Sequence, residues 1–196
     1  MSQIVLVSDT LLASPSTGTL EYNGQFYGTD SNSARAQMQR ITQGTAVAST
    51  SGTAIDFTSL PAWVKRITVM FTGVSPAAAV NYIVVQLGTG ATPTYTTSGY
   101  NSQIITGNTS SVAVTLVSNG FPAINPLSAA NASSGTMVLT NVTGNTWSMT
   151  NSCADTSGTR MYVSAGSIAL GATLTAVRIT TADAFDAGSI NILYEG

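Results

Sequence analysis

The chain has 196 residues, a net charge of −2, and only 7% Asp, Glu, Lys or Arg, against roughly 25% in an ordinary soluble domain. It holds no histidine and one cysteine, which removes the commonest catalytic base, any intrachain disulfide and any cysteine metal cage. The six basic residues are scattered apart from Lys65-Arg66. Neither the cationic stripe that nucleic acid requires nor a polybasic membrane patch is present.

Hydrophobic residues make up 43% of the chain, enough for a core in one domain with room for a small extra module. They come in short runs, none long enough to span a bilayer as a helix. The first residues carry no basic stretch, so no secretory signal and no membrane insertion are expected, and synthesis in a cytoplasm follows.

Residues 1–43 read as a small attachment and oligomerisation module. Asn23-Gly24 predicts a type I′ hairpin, because both turn residues must accept positive φ. In that register Leu20, Tyr22 and Tyr27 share one face, and Glu21 and Phe26 the other. An isolated hairpin is marginal in water, so this one must pack on something else. Residues 30–41 predict a short helix, with Ser31 or Ser33 as N-cap and Ala34, Met38 and Ile41 on one face. That stripe has two open uses, packing within its own domain or docking on a neighbour.

Residues 44–196 read as an antiparallel β-sandwich. Ile67, Val69 and Phe71 alternate onto one side of a strand. Further strands are predicted at 82–87, 112–117, 136–140, 160–164, 173–181 and 189–194. Gly144 lies in a predicted turn joining 137–140 to 147–149 as a hairpin. Eight to ten short strands with turn residues between them argue an all-β sandwich or barrel.

Little in the chain supports catalysis. Lys65 is the only lysine, and no Ser-x-x-Lys spacing exists to replace histidine. Asp183 and Asp186 form the one close carboxylate pair, and they read as a turn before the last strand. A calcium ion beside them is the weaker reading, since the alternating ligand pattern of a calcium loop is missing. Gly88-Thr89-Gly90 begins a phosphate-type loop but continues into Pro93 rather than a third glycine. The sequons at Asn108, Asn131 and Asn141 follow from an Asn/Ser/Thr-rich composition. Cys153, Trp63 and Trp147 are assigned to the core. No catalytic, cofactor or metal residue is therefore assigned. Tyr95, Tyr100 and Phe121, in the loop-like segments 92–103 and 119–125, are the candidate glycan contacts, because a ring face packs on sugar C–H groups. The competing reading places these rings at the sandwich ends or between subunits.

The segment 52–75, with Ile55-Asp56-Phe57 and Leu60-Pro61-Ala62-Trp63-Val64-Lys65-Arg66-Ile67-Thr68-Val69, resembles one that recurs in virion structural proteins of tailed bacteriophages. The closing stretch from Val177-Arg178-Ile179 through Asn191-Ile192-Leu193-Tyr194 is similar to the C-terminal end of the same proteins. The hairpin at 18–27 resembles a small element of phage tail and fibre proteins. This resemblance implies a jelly-roll-like sandwich on the outside of a virion, a homotrimer, and no catalytic residues. The chain lacks the internal repeats of a long fibre shaft.

The expected function is therefore a non-enzymatic virion structural protein of tail fibre or appendage type. Its partners would be other capsid or tail proteins and a host surface glycan. The alternatives are a capsid decoration or head-fibre protein and a lectin-like carbohydrate-binding module.

Overall fold

The computed structural model describes residues 10–196 except Gly24, Ser33, Val80, Asn81, Leu127, Ala130, Ser157 and Gly158. The chain divides into two units, residues 1–40 and 41–196. All described elements are strands, and every pairing between them is antiparallel.

The first unit is a three-stranded sheet of β1 (Leu20–Tyr22), β2 (Phe26–Thr29) and β3 (Arg35–Gln37), in that order. Tyr22 opposes Phe26 and Glu21 opposes Tyr27, so three residues rather than two connect the strands. The predicted register is thus off by one, and such a slip exchanges faces. Phe26 joins Leu20 and Tyr22, its ring centroid 5.0 Å from that of Tyr22, while Tyr27 falls on the Glu21 side. Gly24, the predicted turn glycine, and Ser33, one predicted N-cap, lie outside the described residues.

Among the described residues between 30 and 41 there is no helix. The Asp30 carboxylate accepts the Asn32 and Ala34 N–H groups at 2.8 and 2.9 Å, closing a turn that sends the chain back as β3. Arg35 then reaches Glu21 through two bonds, Nε to Oε2 at 2.7 Å and Nη2 to Oε1 at 3.1 Å. Glu21 also accepts the Leu12 N–H at 2.6 Å. A helix this short is marginal alone, so the turn and the partly buried ion pair prevail over helix propensity.

The second unit contains β4 (Ile41–Gln43), β5 (Val47–Ala48), β6 (Ala54–Phe57), β7 (Arg66–Pro76), β8 (Ile83–Thr89), β9 (Thr94–Tyr95) and β10 (Asn101–Asn108). It continues with β11 (Val112–Val117), β12 (Phe121–Ile124), β13 (Ser133–Thr143), β14 (Thr146–Asp155), β15 (Arg160–Ala169), β16 (Leu174–Thr180) and β17 (Phe185–Glu195). One sheet runs β11-β10-β15-β14-β13-β7-β17-β4, with β5 also on β17; the other runs β12-β8-β16-β6, with β9 on β8. The pairs β7·β17, β8·β16 and β10·β15 are nested in sequence and alternate between sheets. That is the wrapped-hairpin pattern of a jelly-roll-like sandwich. Because β4 pairs with β17, residues 41–43 belong to the sandwich, and Ile41 shares no face with Ala34 or Met38.

Alternation places Ile67, Val69, Phe71, Met137, Leu139, Ile190 and Ile192 inside one sheet and Ile83, Val85, Leu87, Val177 and Ile179 inside the other. Trp147 and Cys153 are buried, and Trp63 packs on Tyr194 at the core margin. Side chains close the hairpins: Asn108 Oδ1 accepts the N–H groups of Ser110 and Ser111, and Asp155 accepts those of Thr159 and Arg160.

The strand β12 falls where the sequence predicts a loop, yet all four of its residues are buried against β10, β14 and β15. It is the edge strand of its sheet, and its carbonyls are taken from across the sandwich. Ser164 Oγ donates to Pro122 O at 2.5 Å and Asn151 Nδ2 to Ala123 O at 2.9 Å. Ser164→Ala leaves a buried carbonyl without its donor, and urea unfolding should show a loss of about 1–3 kcal/mol. Ser152→Ala, on the solvent face of the same sheet, should stay within about 0.5 kcal/mol of the parent.

Candidate functional site

The residues singled out in the sequence do not converge. Tyr100 and Phe121 are 3% and 0% exposed, packed edge-to-face at 4.8 Å between centroids, and the Tyr100 hydroxyl accepts the Leu87 N–H at 2.8 Å. Neither ring can meet a glycan, which corrects their reading as loop aromatics. Tyr95 is half-buried. Its ring lies 3.9 Å from the Arg178 guanidinium, which is itself held by Asp56 through two 2.7 Å bonds. Gly88 lies beneath the ring, where a Cβ would approach to 2.9 Å. The Tyr95 face is thus engaged by its own chain.

Asp183 caps the Ala184 N–H at 2.8 Å, and Asp186 accepts the Ser75 hydroxyl. Among the described residues no three His, Cys, Asp or Glu side chains gather as a metal site. In the first unit Leu20, Phe26 and Met38 are exposed, with Met38 brought beside Phe26 by its backbone bond to the Phe26 carbonyl at 2.8 Å.

A different surface stands out, on the outer face of the large sheet. Its central strands turn mostly hydroxyls outward, Thr68 and Thr72 on β7, Thr136 and Thr140 on β13, Ser148, Thr150 and Ser152 on β14, with Met70 and Val138 half-buried among them. From β15 outward this chemistry changes. The rows Val112–Gly107–Met161, Val114–Ile105–Val163 and Leu116–Gln103–Ala165 cross β11, β10 and β15. Val112, Val114 and Leu116 are 70%, 62% and 64% exposed, and Met161, Val163 and Ile105 are also open. No residue in these rows is charged.

Threonine satisfies strand propensity as well as valine does, so the β-branched apolar side chains here are not needed to form the sheet. The six large apolar side chains together present roughly 500–600 Å², at the upper end of the largest patch on a typical monomer. The strand β11 is open in two further ways. Its other face is uncovered as well, since Ala113 and Thr115 are exposed, and it is the edge of its sheet. An apolar edge strand of this kind is a template for pairing with another chain.

The sequence predicts the strand at 112–117 but not its exposure. Alternation identifies an apolar side without saying whether the chain itself covers it. Comparison with protein-family models, curated proteins and solved structures finds no match to this chain.

Burial pushes the Tyr100 hydroxyl up to about 12, partly offset by the Leu87 N–H. Burial likewise pushes the Cys153 thiol up to about 12, partly offset by Asn151. Tyr95 rises to about 12, first from burial and then from the Asp56 charge. Each group ionises more readily once unfolded, so its contribution is complete below its ordinary value and lost as pH rises through the folded one. With no histidine in the chain, no side chain titrates at its ordinary value between about pH 5 and 8. Urea midpoints should therefore hold steady across that window and fall from about pH 9 to about pH 12. The Cys153 thiol should react with a disulfide reagent at pH 8 only after denaturant is added.

Proposed function

We propose that this chain is a non-enzymatic structural protein of a bacteriophage virion, of the tail fibre or appendage type. It assembles as a homotrimer through the outer face of β11, β10 and β15, and its first unit attaches it to the particle. The observation that carries this reading is the uncharged apolar face ending in an open edge strand. Such a surface is stable in water when a neighbour covers it. Its area amounts to most of the roughly 800 Å² per partner that a standard interface buries. At about 25 cal/mol per Å² the gain from covering it is large compared with the marginal stability of a single domain. The resemblance at 52–75 and 177–195 supplies the virion part of the reading. The exposed Leu20, Phe26 and Met38 supply a surface for attachment.

Sedimentation equilibrium should give three times the 20.0 kDa chain mass for the parent, and the monomer for Val114→Asp/Val163→Asp with unchanged circular dichroism. A monomeric parent at high concentration, or a double variant that remains trimeric, would overturn the assembly face. Gold-labelled antibody should mark the tails of particles and lose them when the first unit, residues 1–40, is deleted. Label spread over the capsid would instead make the chain a decoration protein.

A further inference from the structure

By strand alternation Val84 and Gln86 of β8 and Arg178 and Thr180 of β16 lie on the outer face of the smaller sheet. The connection at 118–120 folds down over this face. Gly120 makes that descent possible, since a Cβ there would come within 2.9 Å of the Val84 side chain. Between this connection and the end of β16 lies a trough of about 540 Å³ lined by Tyr82, Val84, Gln86, Asn119, Thr180 and Thr181, with Leu116 at its border. Small-molecule sites commonly span about 300–1,000 Å³.

We infer that this trough binds a neutral saccharide. Its lining mixes amides, hydroxyls and one phenol ring with the apolar Val84, Leu116, Val117 and Ala182, and holds no charged side chain. A phosphate, a carboxylated sugar or a nucleotide would find no cation there to replace its lost hydration. A purely apolar ligand would strand the amides. A neutral polyol matches both halves, with hydroxyls toward the amides and C–H groups toward the ring.

The polar groups are held in place and keep capacity to spare. Gln86 is 7% exposed and donates one N–H to Asn119 O at 2.8 Å, leaving a second N–H and the amide oxygen. Thr180 Oγ1 donates to Thr53 O at 2.9 Å and retains acceptor lone pairs. Thr181 is 7% exposed, and among the described residues its hydroxyl has no hydrogen-bond partner. An orphaned buried hydroxyl costs stability in the empty protein. A ligand hydroxyl entering the trough would relieve that cost.

This inference goes beyond the assembly reading, because the trough is built mainly on the smaller sheet, shares only Leu116 with the assembly face, and binding is read in solution. Saturation-transfer NMR and calorimetry with methyl glycosides of glucose, galactose and N-acetylglucosamine should show millimolar binding of at least one. Sialic acid and galacturonic acid should show none. Asn119→Ala should weaken binding about tenfold, the factor that about 1.4 kcal/mol of lost interaction gives. Thr181→Val should weaken binding while raising Tm by about 2–4 °C. The inference falls if no neutral sugar binds at millimolar concentration or if acidic sugars bind instead. It also falls if Thr181→Val stabilises the protein and leaves binding unchanged. Sedimentation of each variant separates loss of this site from loss of assembly.

Discussion

The sandwich depends on how it buries the edge of its smaller sheet. The strand β12 pairs only with β8, so the carbonyls on its far side have no strand to receive them. A buried unpaired carbonyl is costly, and an uncovered edge would also invite another chain. The larger sheet answers both problems through Ser164 on β15 and Asn151 on β14, whose side chains donate to Pro122 and Ala123. Ser102 on β10 adds bonds to the carbonyls of Val117 and Gly120 beside it. Small hydroxyl and amide side chains fit between two packed sheets where a longer polar residue would force them apart. Part of the Ser/Asn-rich composition is therefore interior carpentry rather than surface.

The same pairing scheme produces the surplus that function can use. The larger sheet has nine strands and the smaller five. The strand β11 hangs at the end of the larger one, with Ala113 and Thr115 open on one face and Val112, Val114 and Leu116 open on the other. Only Val117, beside the β12 connection, returns to the core. One edge of the sandwich is thus closed from within by hydrogen bonds, and another is left apolar and open.

Strands with clean alternation were legible in the sequence: Ile67, Val69 and Phe71 announce β7, and Gly144 announces the β13–β14 hairpin. Others were not, and two of them show the physical reason. In β10 an inward position is Ser102 rather than an apolar residue, and Phe121-Pro122-Ala123-Ile124 of β12 is buried on every side, so neither shows period two. The first unit misled through propensity, since Ala34 to Gln39 are good helix formers whose fate rests on Asp30 and on the distant Glu21. Tyr100 and Phe121 sit among turn residues in sequence, yet the fold turns both inward. The trough was illegible because Gln86, Asn119 and Thr181 meet only through pairing of β8 with β16 and the descent of the chain at Gly120.

The scarcity of charge gains a more specific meaning from these placements. Arg35 is committed to Glu21, Arg178 to Asp56 and Arg66 to Glu195. Asp30, Asp155, Asp183 and Asp186 hold turns or hydroxyls. These ionic side chains thus work on their own fold, and both the apolar face and the trough are left neutral. Neutral surfaces gain nothing from electrostatic steering, so encounter at them proceeds at unsteered rates and with little response to salt screening. Excluded salts such as sulfate strengthen apolar burial instead. Surfaces of this kind associate by shape and area, so their association follows the identity of the salt through apolar burial more than its ionic strength.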